Sequence, residues 1–438
     1  METVRAGPNH GGDMFAGIDF GTSNSTVVGV SEKGLVETFD IDPLFQPRTI
    51  LRSAIYFPSN RGRRPFVGGE AYQHYRRDLE EEGEAMGRFM RSLKSHLGSD
   101  LATYINSKRF SLTDLISIML KEMKRRAEAH FGAAITNIVL GRPVVFVSDR
   151  RSDAAQDQLE QAARQAGFKQ IVFQLEPIAA ALTFENSLAR GEEKRVLVGD
   201  LGGGTSDFAV MRLRGGVSLK ADRRADVIAV SGLPIGGDTF TARLAFLSIA
   251  PHFGSDDEIP SFIERDRKLA MPQDIFHVLS DPQRVHLLRG VDYRPRIAQL
   301  RLHKVAELLK YNGEFKLIET VEAAKCALSS QEKTRITFEY GYDSFDVVVT
   351  RRQFEKAIAE ETKKLKLCIT KVVEAAGMTA KEIDAVFITG GSSQVPAIRQ
   401  IFVDQFGEAK LKEADAFTSV GFGLGLTAAH PFEAPEMW

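Results

Sequence analysis

Asp19 and Asp200 each stand at the end of an apolar stretch and begin a turn of glycine, threonine and serine. The segments read DFGTSNSTV from Asp19 and DLGGGTSDFAV from Asp200, and each returns into a second apolar stretch. Glycine lets the main chain approach a phosphate closely, and successive backbone N–H groups form an anion-binding nest. One such turn alone could equally be an ordinary tight hairpin. The matching pair favours phosphate binding between two related halves of the chain.

The carboxylates of these turns imply a cation. A carboxylate beside a phosphate is repulsive unless a positive charge lies between them. Mg²⁺ suits that place because it uses few protein carboxylates and keeps several waters. We therefore predict that Asp19 and Asp200 face one Mg²⁺ ion from two sides, largely through water, with a nucleotide clamped between the halves.

Three further segments carry polar residues suited to a nucleotide. Glu176 precedes a proline and a run of small residues, as at the start of a helix that packs closely on a phosphate loop. Alone, it would be an ordinary acid favoured by the helix dipole. Residues 389–392, Thr-Gly-Gly-Ser, end an apolar strand. Glu322, Lys325 and Ser329 have helical spacing, so they could line a nucleoside pocket or simply form a solvated helix face.

Strands and helices must alternate to position these residues. Apolar spacing predicts helices over 111–130, 149–167 and 353–376, with strand material at 135–147. Short apolar runs at 15–20, 26–30, 195–200 and 207–213 flank the two glycine turns. This order indicates an α/β protein with two related lobes. Residues 251–310, rich in Asp, Arg and Pro, do not predict an order of elements.

Composition and charge place the chain among globular proteins. Its 438 residues include 57 basic and 58 acidic side chains, a formal net charge of -1, so no strong field favours nucleic acid or a membrane surface as a partner. Residues 1–13 lack the apolar core of a secretory signal, and no apolar run is long enough to span a membrane. Cys326 and Cys368 have no CxxC spacing, so we expect reduced thiols in a cytoplasmic protein.

From about residue 14 to 430 the chain resembles the nucleotide-binding domain of Hsp70 chaperones, within the actin-like ATPase clan. Its nearest resemblance is to the short bacterial Hsp70-like proteins of the YegD type. The segments that carry the resemblance occur in the family's order: GIDFGTSNS at 17–25, FMRSLKSHLG at 89–98, RPVVF at 142–146 with FQLEPIAAAL after it, VGDLGGGTSDFAV at 198–210, IGGDTFTARL at 235–244, VEAAKCALSS at 321–330 and FITGGSSQVP at 387–396.

The resemblance implies roles for individual residues. Lys94 would approach the γ-phosphate and the attacking water, and Glu176 would position that water or one bound to the metal. Asp207 would join Asp19 and Asp200 in ordering the metal's water shell and is a candidate base. Thr22 and Thr205 would donate their hydroxyls to the phosphates. The residues implied to cradle the phosphates and nucleoside are Gly21, Ser23, Gly202, Gly203, Gly204, Gly236, Gly237, Glu322, Lys325, Ser329, Gly390, Gly391 and Ser392.

The implied architecture has two α/β lobes, each built on a ribonuclease H-like five-stranded mixed sheet, with ATP in the cleft between them. We expect lobe I over 14–198 with an inserted subdomain near 50–130. Lobe II follows over 199–430 with an insertion near 240–335. Residues 1–13 and 431–438 are expected to be tails, and we expect no peptide-binding domain.

Two departures bear on affinity. Gln394 replaces the arginine that the family usually stacks over adenine, and Cys326 occupies a position that is arginine in some members, so the loss of guanidinium faces should weaken stacking. The function implied is slow, Mg-dependent ATP hydrolysis that opens and closes the lobes, in a chaperone or chaperone accessory acting through a protein partner. The alternatives are a small-molecule kinase of the same clan, an actin-like filament protein and a nucleotide sensor that does not hydrolyse.

Overall fold

The computed structural model describes residues 14–31, 34–59, 64–82, 87–105, 107–146, 149–217, 223–260, 268–288, 301–413 and 418–429. Both expected tails, 1–13 and 431–438, lie outside these ranges, as do parts of the 251–310 stretch. Among the described residues, no helix is both long enough and apolar enough to cross a membrane.

The first part of the chain forms a lobe around one mixed sheet. The sheet runs β11-β10-β1-β2-β3, with β4 beside β2; β1 pairs antiparallel with β2 and parallel with β10. The elements of this part are β1 (Met14–Phe20), β2 (Asn24–Val30), β3 (Val36–Thr38), β4 (Leu51–Arg52), β5 (Ala54–Phe57), β6 (Phe66–Val67), α1 (Gly69–Glu82), β7 (Arg88–Arg91), β8 (Ala102–Ile105), β9 (Lys108–Ser111), α2 (Leu112–Phe131), β10 (Ile135–Arg142), α3 (Asp149–Gln165), β11 (Gln170–Leu175) and α4 (Glu176–Glu185).

The second part repeats the plan with a sheet of order β14-β13-β12-β19-β20, in which β12 pairs antiparallel with β13 and parallel with β19. Its elements are β12 (Glu193–Leu201), β13 (Ser206–Arg214), β14 (Val227–Leu233), α5 (Gly237–Ser248), β15 (Glu258–Pro260), β16 (Lys268–Ala270), α6 (Asp274–Ser280), α7 (His303–Lys310), α8 (Glu314–Ser330), β17 (Lys333–Tyr340), β18 (Asp343–Thr350), α9 (Arg351–Ala357), α10 (Ala359–Ala375), β19 (Ala385–Thr389), α11 (Pro396–Phe406), β20 (Leu411–Glu413) and α12 (Ser419–Ala428).

This is the predicted two-lobed α/β fold of actin-like ATPases. The main path of each sheet has the expected five strands. The two-residue β4 adds a sixth to the first sheet because residues 51–52 run alongside the start of β2. The lobe and subdomain boundaries remain predictions.

Smaller sheets lie outside the two main ones. In the first part they are the three-stranded β6-β5-β7 and the hairpin β8-β9, and in the second part the hairpins β15-β16 and β17-β18. Buried aromatic residues of the β5–β7 region, including Tyr75 and Phe89, share a core with α8 and β17. The two parts of the chain therefore meet at a second place, away from their main sheets.

One predicted helix proves to be two. The expectation of a single helix over 353–376 is wrong at its start, because α9 ends at Ala357 and α10 begins at Ala359. Ile358 between them has φ -99° and ψ 11° and is fully buried. Neither glycine nor proline marks the break, so packing of Ile358 overrides the helical propensity of the stretch.

The lobes exchange helices at their junction. Helix α4 follows β11 of the first sheet but packs on β12 and β13 of the second, whereas α12 follows β20 and packs on β1, β2 and β10. The two helices also pack on each other. The core along this seam is fully buried and includes Val139, Ala180, Val198, Ala209 and Leu424. This seam holds the two glycine turns in a fixed relation.

Candidate functional site

The two glycine turns occupy equivalent places in the two sheets. Asp19 lies opposite Thr26 in the β1-β2 hairpin, and Asp200 lies opposite Asp207 in the β12-β13 hairpin. Asp200 also lies beside Thr389 in the parallel pair β12-β19. The sheet register therefore brings the 389–392 segment to the same edge as the second turn.

The turns face each other closely across the cleft. A Cβ placed on Gly203 would lie 2.5 Å from Ser23 Oγ, and one on Gly204 would lie 2.6 Å from Thr22 Oγ1. Ser95 Oγ would be 3.3 Å from the same added atom on Gly204. A side chain on either glycine would collide with the opposite turn, so glycine is needed for the two turns to lie this close and leaves their backbone N–H groups uncovered.

A third glycine segment closes the second turn from the side. The N–H groups of Gly237 and Asp238 donate to the carbonyls of Gly202 (3.0 Å) and Gly203 (2.8 Å). A Cβ on Gly236 would lie 2.6 Å from the carbonyl oxygen of Gly203. The predicted residues 236–237 thus lie directly against the second phosphate loop.

Two predicted nucleoside residues reach the same place. Lys325 Nζ donates to the carbonyl of Gly237 (3.0 Å) and to Thr241 Oγ1 (3.0 Å), and Ser392 Oγ donates to the carbonyl of Gly202 (2.8 Å). Gly390 has φ 86° and lies against the backbone of Leu201, so this turn needs glycine. These contacts bring α8 and the 389–392 turn to one side of the phosphate cradle.

Lys94 and Glu176 form a buried ion pair at the cleft. Lys94 Nζ lies 2.5 Å from Glu176 Oε1, and the side chains are only 7% and 6% exposed. Lys94 lies in a 3₁₀ turn, residues 93–96, after β7, and Glu176 begins α4, whose second residue is a proline. The structure therefore places the two predicted catalytic side chains in direct contact, a contact that the sequence did not predict.

Asp207 is fully buried beside this pair. Its Oδ1 accepts a hydrogen bond from the N–H of Val144 (2.7 Å), and the nearby Thr205 hydroxyl interacts with the carboxylate and acts to lower its pKa. The carboxylate is therefore partly satisfied and keeps acceptor capacity for a ligand or a bound water.

The carboxylates of the cleft raise each other's pKa. Burial, followed by the charge of Glu176, raises the pKa of Asp19 and of Asp207 to about 7. The same two causes, with Asp19 and Asp207 added, hold the pKa of Asp200 well above its ordinary value. Burial lowers the pKa of Lys94, but Glu176 and Asp19 outweigh it and raise the pKa above its ordinary value. One lysine does not compensate four acids, so a divalent cation fits this donor set.

The donor set also suits a metal held mostly by water and phosphate. Within the described ranges, no three His, Cys, Asp or Glu side chains converge as a complete metal site. Asp19 and Asp200 with phosphate oxygens and waters would instead supply the octahedral shell that Mg²⁺ prefers.

The predicted nucleoside wall on α8 is tied to the opposite lobe. Arg91 Nη2 donates to Glu322 Oε2 (2.8 Å), and Arg52 Nη2 lies 3.8 Å from Glu322 Oε1. Burial alone would raise the pKa of Glu322. The positive charges of Arg91 and Arg52 outweigh that effect and hold this pKa well below its ordinary value. The plain alternative of a solvated helix face does not describe Glu322 and Lys325, because both are partly buried and bound.

Other predicted residues are less closely joined to the site. Ser329 lies half-buried further along α8, where its carbonyl accepts a hydrogen bond from Arg351 (3.4 Å). Gly391 is exposed, as are Gln394 and Cys326 at the positions where the family has arginines. These positions leave one face of the nucleoside wall open to solvent.

Sequence reasoning missed three residues of the site: Arg91, Ser95 and Asp238. Ser95 follows Lys94 directly, and Arg91 precedes it on β7. Asp238 follows Gly237, is 3% exposed, and accepts a hydrogen bond from Ser92 Oγ (3.0 Å). Adjacency to predicted residues was the available signal for all three.

Comparisons with known proteins agree with this geometry. A family model described as Hsp70 protein matches residues 15–259 and 309–429. The chain is 26% identical over 419 residues to the chaperone protein DnaK of Thermotoga neapolitana and to that of Thermotoga maritima. It is 26% identical over 424 residues to DnaK of Thermosipho melanesiensis. Each match covers 95% of this chain and 59% of the relative, so the chain spans well under two thirds of their length.

Proposed function

The chain belongs to the Hsp70 family, and from that premise we propose that it binds Mg-ATP between its lobes and hydrolyses it slowly. The observation that carries the proposal is the buried Lys94–Glu176 pair beside two facing glycine turns. Phosphoryl transfer is catalysed mostly by positioning and charge neutralisation, and this site supplies both.

The mechanism assigns each group a limited task. Backbone N–H groups of Gly203 and Gly204 bind the phosphates, whereas that of Gly202 donates to the carbonyl of Thr205 within the turn (2.9 Å); the hydroxyls of Thr22 and Thr205 donate to the phosphate oxygens. Asp19 and Asp200 would hold Mg²⁺, largely through water, and the ion would neutralise part of the phosphate charge.

The catalytic step uses one water molecule as the nucleophile. Glu176 orients it, and Lys94 holds positive charge where negative charge develops on the γ-phosphate. The water oxygen bonds to the γ-phosphorus as the bond to the bridging oxygen breaks, and Asp207 accepts the water's proton. The products are ADP and inorganic phosphate.

Turnover would move the lobes about the seam of α4 and α12. We propose that a protein partner or client senses this motion, and that the chain acts in the cytoplasm as a molecular chaperone or as an accessory to one. The name of the relatives, chaperone protein DnaK, supports the chaperone class. The partner would respond to closure of the lobes around ATP.

The test is steady-state phosphate release from Mg-ATP by the whole chain, beside Lys94→Ala and Asp200→Ala. We expect slow release that falls by about 100-fold or more in both variants. Lys94→Ala removes the positive charge beside the γ-phosphate, and Asp200→Ala removes a carboxylate that would hold the Mg²⁺ ion there. Lys121→Ala, an exposed lysine on α2, is the matched control and should retain the wild-type rate. Undiminished release in Lys94→Ala would refute the assigned mechanism.

The same preparation discriminates the other classes. Binding of ATP without release in the wild type would reject hydrolysis and leave a nucleotide sensor. Phosphate release without any added acceptor argues against a small-molecule kinase, and constant light scattering on ATP addition argues against a filament protein.

A further inference from the structure

A cavity of about 530 Å³ extends from the phosphate loops toward α5 and α6. At its inner end it is lined by the four predicted phosphate contacts Thr22, Lys94, Gly204 and Thr205. The residues predicted for the nucleoside, on α8 and at 390–392, do not line it. The nucleoside and this cavity therefore lie on different sides of the phosphate site.

The cavity is continuous with solvent at its outer end. Asp274, His277 and Arg284 line it there and are exposed, whereas Lys94 at the inner end is 7% exposed. The His277 ring stacks on Phe246 of α5 with centroids 4.3 Å apart, so the wall of the mouth is ordered by packing between α5 and α6. A small molecule at the γ-phosphate position has an open way out here.

On the nucleoside side, by contrast, contacts between the two lobes bridge the cleft. Tyr75 donates a hydrogen bond to the carbonyl of Asn312 (2.6 Å), and Arg91 holds Glu322. The rings of Phe89 and Phe315 pack with centroids 5.3 Å apart. A bound nucleoside would also fill that side, so phosphate could leave through it only after ADP had gone.

The lining of the cavity suits an oxyanion. Three cations line it: Lys94, paired with Glu176, at its inner end, Arg243, which holds Glu361 (2.7 Å), along it, and Arg284 at its mouth. The hydroxyl oxygens of Ser95 and Ser280, both lining residues, are buried and have no hydrogen-bond partner among the described residues. Rotation of either side chain would present a donor to a passing anion.

The acids that line the same cavity are partly engaged. Asp238 accepts hydrogen bonds from Ser92 (3.0 Å) and Gln283 (3.3 Å), and its carboxylate lies 3.9 Å from Arg91. Asp281 Oδ1 accepts a hydrogen bond from the N–H of Gln283 (2.8 Å). The hydrogen bonds fix the positions of these carboxylates, Arg91 offsets part of the charge of Asp238, and Asp274, the third acid of the lining, is exposed at the mouth.

We propose that this cavity binds inorganic phosphate and is the passage through which phosphate cleaved from ATP reaches solvent while ADP remains bound. The proposal rests on the proposed ATPase function. It makes phosphate release a separate step, controlled by α5, α6 and the residues after them.

The experiment narrows the passage with Ala242→Phe, a half-buried lining position on α5 outside the phosphate contacts. Leu247→Phe, exposed on the same helix and not lining the cavity, is the matched control. Single-turnover cleavage is followed by acid quench and phosphate release by a fluorescent phosphate sensor. Thermal unfolding of both variants confirms that each is folded.

In Ala242→Phe we expect unchanged cleavage and phosphate release slowed by about tenfold, with release becoming limiting. In Arg284→Ala we expect phosphate to inhibit turnover at concentrations about tenfold higher, because one charged contact is lost, with Arg284→Lys restoring most of the effect. Release in Ala242→Phe as fast as in Leu247→Phe would overturn the passage.

A protein that is not an ATPase would give a different result from one that lacks the passage. If the wild type cleaves no ATP in the quench assay, the passage loses its role, and the oxyanion site is tested alone by binding of radiolabelled inorganic phosphate to the Mg-ADP complex. Binding that Ala242→Phe abolishes and Leu247→Phe retains would support the site. Absence of binding in the wild type would refute it.

Discussion

Arg91 connects the strand before Lys94 to the helix of the opposite lobe. Its side chain is 5% exposed and holds Glu322, which is 16% exposed, at 2.8 Å. A buried ion pair is weak evidence for net stability, but removing one partner leaves the other charge without compensation. Arg91 therefore both joins the lobes and keeps Glu322 ionised beside the predicted nucleoside site.

Arg91→Met should lower the free energy of unfolding by about 2 kcal/mol at pH 7, the scale of a hydrogen bond between charged groups. The pKa of Glu322 is depressed in the folded protein. Its contribution is therefore fully present above the unfolded pKa of about 4.3 and is lost as pH falls below it. Urea unfolding of both proteins from pH 7 to about pH 2 should show a constant difference down to about pH 4.3 and a shrinking difference below it.

Arg76→Met is the control, because Arg76 pairs with Glu319 on the surface and is 60% exposed. An exposed pair contributes about 0 to 1 kcal/mol. A difference for Arg91→Met that is no larger than this, or one that grows toward acid, would contradict the assignment.

The site residues that could be predicted from the sequence are those whose residue type suits few structural roles, such as glycine in a tight turn. Gly203 and Gly204 lie against the Ser23 and Thr22 hydroxyls and Gly236 lies against the backbone of Gly203, and sequence recognises such glycine turns. Arg91 and Ser95 carry no such mark. Their contacts form only when the lobes face each other, so adjacency to Lys94 in the chain was the one local signal for them.

At the scale of elements, the exchanged helices α4 and α12 decide how the lobes meet. Gly423 of α12 lies against Ala179 of α4 so closely that an added Cβ would be 1.8 Å from the Ala179 carbonyl oxygen. Gly425 on the same helix would meet only side-chain methyl groups of Val36 and Val28, at 2.7 and 2.8 Å. The first approach is between backbones and cannot relax easily.

Gly423→Ala should therefore destabilise the protein by about 3 kcal/mol through overpacking, despite the better helix propensity of alanine. Gly425→Ala gains the same propensity and should cost about 1 kcal/mol or less, since a valine side chain can move. Urea unfolding midpoints with unchanged m-values measure both. Equal costs would show that the close approach to Ala179 is not what limits position 423.

The order and type of most elements could be predicted, because 2- and 3.6-residue periods mark strands and helices locally. The helix expected over 111–130, for instance, is confirmed as α2. The break at Ile358 could not be predicted, since it depends on a core formed by distant residues. The exchange of α4 and α12 has the same origin, because an apolar helix does not specify which sheet it covers.

At the scale of the molecule, the cleft is bridged on its nucleoside side. Tyr75, on α1, donates to the carbonyl of Asn312 just before α8. This contact lies in a buried aromatic cluster with Phe89 and Phe315. Opening the cleft to release a nucleotide must break it.

Tyr75→Phe should speed release of ADP by about fivefold, because one buried hydrogen bond contributes about 1 kcal/mol to the closed state. The measurement is displacement of a fluorescent ADP analogue by excess unlabelled ADP. Tyr104→Phe makes the same change at a side chain that is 70% exposed and should leave the rate unchanged. Equal rates in both variants would mean that opening does not separate Tyr75 from Asn312.

The exchange of helices also has a consequence during synthesis. The sheet face on β1, β2 and β10 is complete once the ribosome passes Arg142, but α12, which covers it, begins only at Ser419. At about 5–20 residues per second, that face waits roughly 15 to 60 s for its cover. A nascent chain with an uncovered apolar sheet is prone to aggregate and is a substrate for other chaperones. A member of a chaperone family would thus itself depend on protection until α12 emerges.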